Sequence, residues 1–282
     1  MSSTRLRVGV VGSANVDEVV RCSTLPRPGE TILASDPLRL PGGKASNQAA
    51  ALSALGLATT LIARVGNDAS GEWMIDVLSR TGVDTSHIQR DSAPTGTAYI
   101  TVDAAGENMI IVARGANAHL DVANVDFSDF DVVLAQMEVD ESVVDAVAKA
   151  APNFILNVAP ARPVSPETLR RCAVVIANEI EAEYVDLATL AHCVVTLGAR
   201  GAVHYAYGKE VTRASAPPVQ VVDTVGAGDA FCAAYTAQYV LRSSPEVALR
   251  FAVTAGSLAT QALGAQGALP TMKEVETWLA RA

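Results

Sequence analysis

Residues 223–231, Asp-Thr-Val-Gly-Ala-Gly-Asp-Ala-Phe, set small residues and a carboxylate at what reads as the start of a helix. Ala230, Phe231, Ala234 and Leu241 follow at helical spacing over 227–241, and residues 219–222 before them read as a short buried strand. A strand-to-helix turn of this kind offers free backbone amides to an anion, and Gly226 and Gly228 let that anion come close. The chemistry this suggests is phosphate held by Gly226, Ala227 and Gly228, with Asp229 beside it to take a proton. A first-turn acid also complements a helix dipole, and this segment alone does not separate the two roles of Asp229.

Other polar groups fall at the ends of expected strands. Asn15 and Asp17 lie two residues apart, on one side of an extended backbone, where an amide and a carboxylate can hold adjacent hydroxyls or simply close a turn. Gly42 and Gly43 open a helix on which Lys44 and Asn47 share a face. A lysine there opposes the helix dipole and calls for an anionic or hydroxyl-rich neighbour. Glu138 ends a buried strand, where ligands of open α/β sheets collect. Asn178 and Glu181, at i and i+3, suit magnesium held through water, and the turn Thr196, Leu197, Gly198, Ala199, Arg200 and Gly201 offers backbone groups to a nucleotide.

The elements that must position these groups alternate along the chain. Strands are expected at 5–12, 59–65, 132–136, 154–158, 173–177, 193–197 and 202–207. Helices are expected at 44–56, 69–81, 142–151, 167–172, 227–241, 245–262 and 273–282. That rhythm implies an α/β fold with a mainly parallel sheet covered on both faces. Two stretches depart from it, at about 16–40 and 96–114, the second reading as a hairpin that turns at 105–108. Together they could form a small antiparallel sheet placed as a lid.

Composition excludes other classes. A net charge of -9 argues against a nucleic-acid surface, and no Lys/Arg cluster appears along the chain. No uncharged run is long enough to span a bilayer, so a soluble, cytoplasmic protein is expected. The 4 cysteines and 4 histidines show no metal-ligand spacing. A P-loop, a protein-kinase glycine loop and a nucleophile elbow are missing, and Phe231 stands where a dinucleotide fingerprint needs a small residue.

With these motifs in order, the sequence resembles the ribokinase family of carbohydrate kinases, also called the PfkB family. Gly42-Gly43-Lys44 with Asn47-Gln48-Ala49 is similar to its N-terminal signature, and residues 223–229 to its C-terminal one. Pro28-Gly29-Glu30, Gly115-Ala116-Asn117 and Ala159-Pro160-Ala161-Arg162 extend the likeness over nearly the whole chain. The resemblance implies a single three-layer α/β/α domain over 1–282 with a β lid, and a homodimer formed through that lid. It implies ATP-dependent phosphorylation of a sugar, D-ribose at its 5-hydroxyl, with another sugar or a nucleoside as the alternative acceptor. A non-catalytic sugar or nucleotide sensor is the alternative outside the enzymes.

The resemblance assigns Asn15, Asp17, Gly43, Lys44, Asn47, Ala98, Ile100 and Glu138 to the acceptor, and Asp229 to catalysis. It assigns Asn178, residues 196–201, Gly228 and Val253 to ATP, and Glu181 to Mg²⁺ through water. Asp223, Val225, Ala259, Ala262, Gly264 and Ala268 fall where the family holds a monovalent cation, usually K⁺. Ala268 departs from the family's frequent serine, and the stretch 183–196 is short for a helix and a strand.

Overall fold

In the computed structural model, which describes residues 6–281, β1 (Arg7–Val11) sends Val8 and Val10 into one buried cluster and Val11 into another. The chain then forms β2 (Asn15–Arg21), β3 (Leu38–Gly42), α1 (Lys44–Ala54), β4 (Ala58–Gly66), α2 (Ala69–Arg80) and β5 (Ile88–Asp91). A hairpin of β6 (Gly96–Val102) and β7 (Asn108–Ala113) follows, then β8 (Val132–Gln136), α3 (Glu141–Ala150), β9 (Phe154–Asn157), α4 (Pro166–Arg171) and β10 (Val174–Asn178). The last part holds β11 (Cys193–Thr196), β12 (Ala202–Ala206), β13 (Lys209–Ala214), α5 (Ala227–Val240), α6 (Pro245–Ala259) and α7 (Met272–Leu279).

The large sheet has nine strands in the order β13-β12-β11-β10-β9-β8-β1-β4-β5, parallel from β5 to β11 and antiparallel at β12 and β13. Period-2 alternation divides its side chains between two interiors. Val132, Leu134, Val174 and Ile176 pack under α1, α2, α5, α6 and α7, while Val133, Ala135, Val175 and Ala177 pack under α3 and α4. This is the expected three-layer α/β/α arrangement.

The small sheet runs β3-β2-β6-β7. Its outer pairs are antiparallel and its central pair β2–β6 is parallel, because both strands leave the same edge of the large sheet in the same direction. Asn15 pairs with both Gly42 and Gly96, so three lid strands converge on one residue beside the large domain.

Three readings need adjustment. Residues 219–222 form no strand: Pro217 and Pro218 cannot donate to a ladder, and Val221 and Val222 are 57% and 60% exposed. The short stretch 183–196 keeps its strand, β11, and replaces a helix with turns at Glu181–Tyr184 and Leu187–Thr189. The first strand was expected from Arg5 and the last helix to Ala282; both residues lie outside the described ones, and α7 ends at Leu279. Among the described residues no helix is long and apolar enough to cross a membrane.

Candidate active site

Parallel strands present polar residues at one edge of the sheet: Asn15 just after β1, Glu138 just after β8, and Asn157, Asn178 and Thr196 at the ends of β9, β10 and β11. The lid starts from this edge at Asn15. Such an edge gathers ligands in open α/β sheets because loops there are free of the ladder and strand ends converge.

The fold brings together residues that the sequence reading assigned to the acceptor. Asn15 is buried, and its Oδ1 accepts from Asn117 Nδ2 at 2.7 Å. Glycine is required beside this pair: a Cβ at Gly96 would lie 2.2 Å from Asn117 Nδ2 and 2.3 Å from Asn15 Oδ1. Gly42 likewise makes room for the Asp17 carboxylate, which a Cβ there would meet at 2.1 Å. Gly43, at φ 87, caps α1 with its Cα facing the backbone of Ser13 and Asn15. Glu138 Oε2 accepts from the Lys44 amide at 3.1 Å and from the Ser13 hydroxyl, which fixes the start of α1 over β1.

Two groups in this cluster make no hydrogen bond to any described residue: the Asp17 carboxylate and the Lys44 ammonium. Burial raises Asp17 to about 7, with Glu138 and Asp229 adding to the effect. Burial, the largest influence on Lys44, favours loss of its proton, but the carboxylates of Asp229, Glu138 and Glu181 outweigh it and hold the group charged. A half-buried acceptor and a charged donor thus stand open beside each other. Ala98 and Ile100, both buried on β6, pair in register with Asp17 and Val19 and supply the apolar side of the lid.

Asp229 sits in the first turn of α5, is 8% exposed, and accepts from Asn47 Nδ2 at 3.0 Å and Gln48 Nε2 at 2.9 Å. Burial raises its pKa, opposed by Lys44 and by the two amides. Gln48 is itself held by Gln136, which donates to its Oε1, and it also donates to Asn157 Oδ1 at 3.2 Å. Gln266 donates to Asn47 Oδ1 at 3.0 Å. These contacts fix the amide orientations and hence the plane of the carboxylate.

α5 begins with no side-chain cap: Gly226, at φ 80, is its N-cap. A Cβ on Gly226 would lie 2.5 Å from Ala265 Cα, so only glycine permits this turn. The Ala227 amide, expected in the anion hole with Gly226 and Gly228, donates to the Thr224 carbonyl at 3.2 Å. At the start of α5 the amides of Gly226, Gly228 and Asp229 have no partner among the described residues.

Two cavities meet at this turn. One, about 560 Å³, is lined by Thr196, Gly198, Ala199, Gly201, Gly228 and Val253, together with Ala216 to Val219, Val221, Phe231 and Gly256. The other, about 140 Å³, is lined by Lys44, Asn157, Asn178, Glu181, Gly226 and Asp229, and it shares Thr196 and Gly228 with the first. Leu197 and Arg200 do not line the larger cavity; Arg200 turns outward to an ion pair with Glu179. Asn178 and Glu181 bond reciprocally, each backbone N–H to the other's side chain at 2.8 Å. Burial, chiefly, raises Glu181. Asp223 accepts from the amides of Val225 at 3.0 Å and Gly264 at 2.8 Å, joining the turn before α5 to the loop after α6. Ala259, Ala262 and Ala268 bracket that loop with no side-chain oxygen to offer.

Sequence reasoning gave no role to Gln48, Asn117, Gln136, Asn157 or Gln266. The signal for Gln48 was there: it is adjacent to Asn47 in a run otherwise made of Ala, Ser and Leu. The others show only when the chain brings distant strands together.

The buried carboxylate of Asp229 thus lies under open amides, beside the polar groups of Asn15, Asp17 and Lys44 on one side and the cavity of about 560 Å³ on the other. Residues 5–272 match the family model described as pfkB family carbohydrate kinase. The chain belongs to the pfkB family of carbohydrate kinases. It is 37% identical over 233 residues to a ribokinase of Bacillus subtilis (strain 168), covering 76% of this chain and 79% of that one. A ribokinase structure from Thermotoga maritima superposes with TM-score 0.90 at 30% identity, covering 98% of this chain and 99% of that one. An Arabidopsis thaliana ribokinase, described in complex with ribose and ATP, gives TM-score 0.87 at 32% identity over 98% of this chain and 99% of that one.

Proposed function

We propose that this protein transfers the γ-phosphate of ATP to the 5-hydroxyl of D-ribose, giving ribose 5-phosphate and ADP. The observation that carries this reading is the open pair, Asp17 and Lys44, beside a buried Asp229 held by two amides. Asn15, Asp17, Lys44, Asn47 and Glu138 take the sugar hydroxyls. None of them is aromatic, so the pocket favours a small polyol over a nucleobase.

In the transfer, Asp229 accepts the proton of the attacking hydroxyl while the oxygen bonds to the γ-phosphorus and the bond to the leaving ADP oxygen breaks. Its raised pKa makes it a better proton acceptor than an exposed aspartate. The amides of Gly226, Gly228 and Asp229, the α5 dipole and Lys44 stabilise charge on the transferring group. ATP lies in the larger cavity, its base against Val253 and Gly256 and its phosphates toward Asn178 and Gly228. The lid segments 16–40 and 96–114 of this one α/β domain close on the sugar and keep water from the γ-phosphate.

Among the described residues no group of three or more His, Cys, Asp or Glu could cage a metal. That suits Mg²⁺, which keeps its waters and binds mainly to phosphate, with Glu181 in reach of the smaller cavity. Such an ion would neutralise phosphate charge. K⁺ would be held by Asp223 and by backbone carbonyls of Val225, Ala259, Ala262, Gly264 and Ala268, an all-oxygen set on the two segments that Asp223 joins. It would stiffen the turn that carries the open amides.

The lid also supports a homodimer. β7 is an edge strand whose residues are all exposed, and Met109, Ile110, Ile111 and Val112 lie on it between 46% and 64% exposed. Such an apolar edge is covered by a second copy of the lid. We place the protein in the cytoplasm on the same grounds of composition given above.

The testing experiment offers ribose, deoxyribose, fructose, adenosine and pseudouridine with ATP and Mg²⁺, in K⁺ or Na⁺. The highest kcat/KM is expected for ribose. Ribose binding with no ADP release would make the protein a sensor, and higher kcat/KM for another acceptor would displace ribose.

A further inference from the structure

A cavity of about 590 Å³, similar in size to the nucleotide groove of about 560 Å³, is lined by Arg213, Arg250, Trp278 and Arg281 together with Pro217 and Leu279. Among the described residues no carboxylate lines it. In a chain of net charge -9, with no Lys/Arg cluster along the sequence, the fold brings three arginines to the lining of one cavity, from β13, from α6 and from just after α7. Arg213 pairs with the exposed Glu210, whereas Arg250 and Arg281 form no ion pair with a described residue. The dipole of α7 accounts for Arg281, near its C-terminus, but not for arginines from two other elements.

We propose that this cavity binds a ring-bearing organic phosphate of mononucleotide size. Guanidinium forks match the geometry of a phosphate, and the flat indole of Trp278, flanked by Pro217 and Leu279, offers a face to a planar ring. The site is separate from the proposed transfer site, yet it shares a wall with it. Pro217 and Pro218 line both cavities. α6 gives Arg250 and Thr254 to this cavity and Val253, Gly256 and Ser257 to the nucleotide groove. Gly201 of the nucleotide turn packs against Ala214, where a Cβ would fall 1.9 Å from the carbonyl oxygen.

Residues 215–221, between those contacts, make no backbone hydrogen bond to a described residue. A wall so weakly tied adjusts to whatever occupies either side. An occupant therefore acts on ATP binding and leaves the residues proposed to take the sugar, none of which lines this cavity or the nucleotide groove, as they were.

The chain holds 2 tryptophans, and the other, Trp73, lies under Arg39. The variant W73F leaves Trp278 as the only indole. Phenyl phosphate is the probe, with phenol and inorganic phosphate titrated in parallel. We expect saturable quenching of Trp278 by phenyl phosphate, about 10-fold tighter than by either half alone, a gain of about 1.4 kcal/mol. In R250Q/R281Q the quenching should weaken by about 10-fold or more while kcat and circular dichroism stay unchanged. Single variants R250Q and R281Q, each weakening it partly, guard against misfolding of the double variant. With the probe bound, the KM for ATP should move by about twofold or more and the KM for the sugar should not.

Absence of saturable quenching, or quenching unchanged in R250Q/R281Q, overturns the site. Quenching by inorganic phosphate as tight as by phenyl phosphate overturns the ring preference. An unmoved KM for ATP overturns the coupling. The fluorescence arm needs no kinase activity, so its failure is distinct from failure of the proposed reaction.

Discussion

Asp17 should cost this protein stability at the pH where it is needed. Its carboxyl is raised from 3.8 to about 7 by burial and by Glu138 and Asp229. Between those values the folded state keeps a proton that the unfolded chain has released. Stability contributed by the protonated group is therefore complete below about pH 4 and lost as pH rises to about 7. At 1.36 kcal/mol per unit, the loss above pH 7 is about 4 kcal/mol. Asp17→Asn removes the ionisation while keeping the size of the side chain. By thermal unfolding, the variant should match the parent at pH 4 and exceed it at pH 8 by roughly 5–10 °C, taking about 2 °C per kcal/mol for a chain of this length. The same variant should raise the sugar KM by about 10- to 100-fold, the worth of a hydrogen bond to a charged group. A Tm difference that is the same at both pH values, or a parent more stable at pH 8, would refute the claim that Asp17 is held strained for a ligand.

Other consequences are smaller in scope. Gln48→Leu frees one oxygen of Asp229 and should lower kcat by about 10- to 100-fold with the sugar KM nearly unchanged, read from steady-state kinetics. Gly96→Ala forces a Cβ between Asn15 and Asn117 and should destabilise by about 1–3 kcal/mol in urea unfolding while weakening sugar binding. Ile111→Lys places a charge on the exposed edge β7 and should shift sedimentation from dimer toward monomer without changing the Tm by more than about 2 °C.

The mainly parallel sheet was legible because apolar runs such as 132–136 and 173–177 have strand length and are bounded by helical patterns. Asn15, Lys44, Asn47, Glu138 and Asp229 were legible for a related reason: each follows a strand or opens a helix, where the sheet edge must fall. Asn157 and Gln136 were not, since their roles depend on hydrogen bonds across 109 and 88 positions that no local pattern encodes. The segment 219–222 misled because Val-rich composition suggests a strand, whereas the preceding prolines leave it nothing to pair with. The arginines at 213, 250 and 281 are likewise isolated in the sequence and neighbours only in the fold.

The central claim is that Asp229 takes the hydroxyl proton. Asp229→Asn keeps an acceptor for Gln48 or Asn47 but cannot accept the proton, so kcat should fall by about 10² to 10⁴. Ribose affinity, measured by calorimetry on the same sample, should change by less than about threefold, because Asn15, Asp17 and Lys44 remain in place. Turnover close to that of the parent, with ribose still bound, would contradict the assignment.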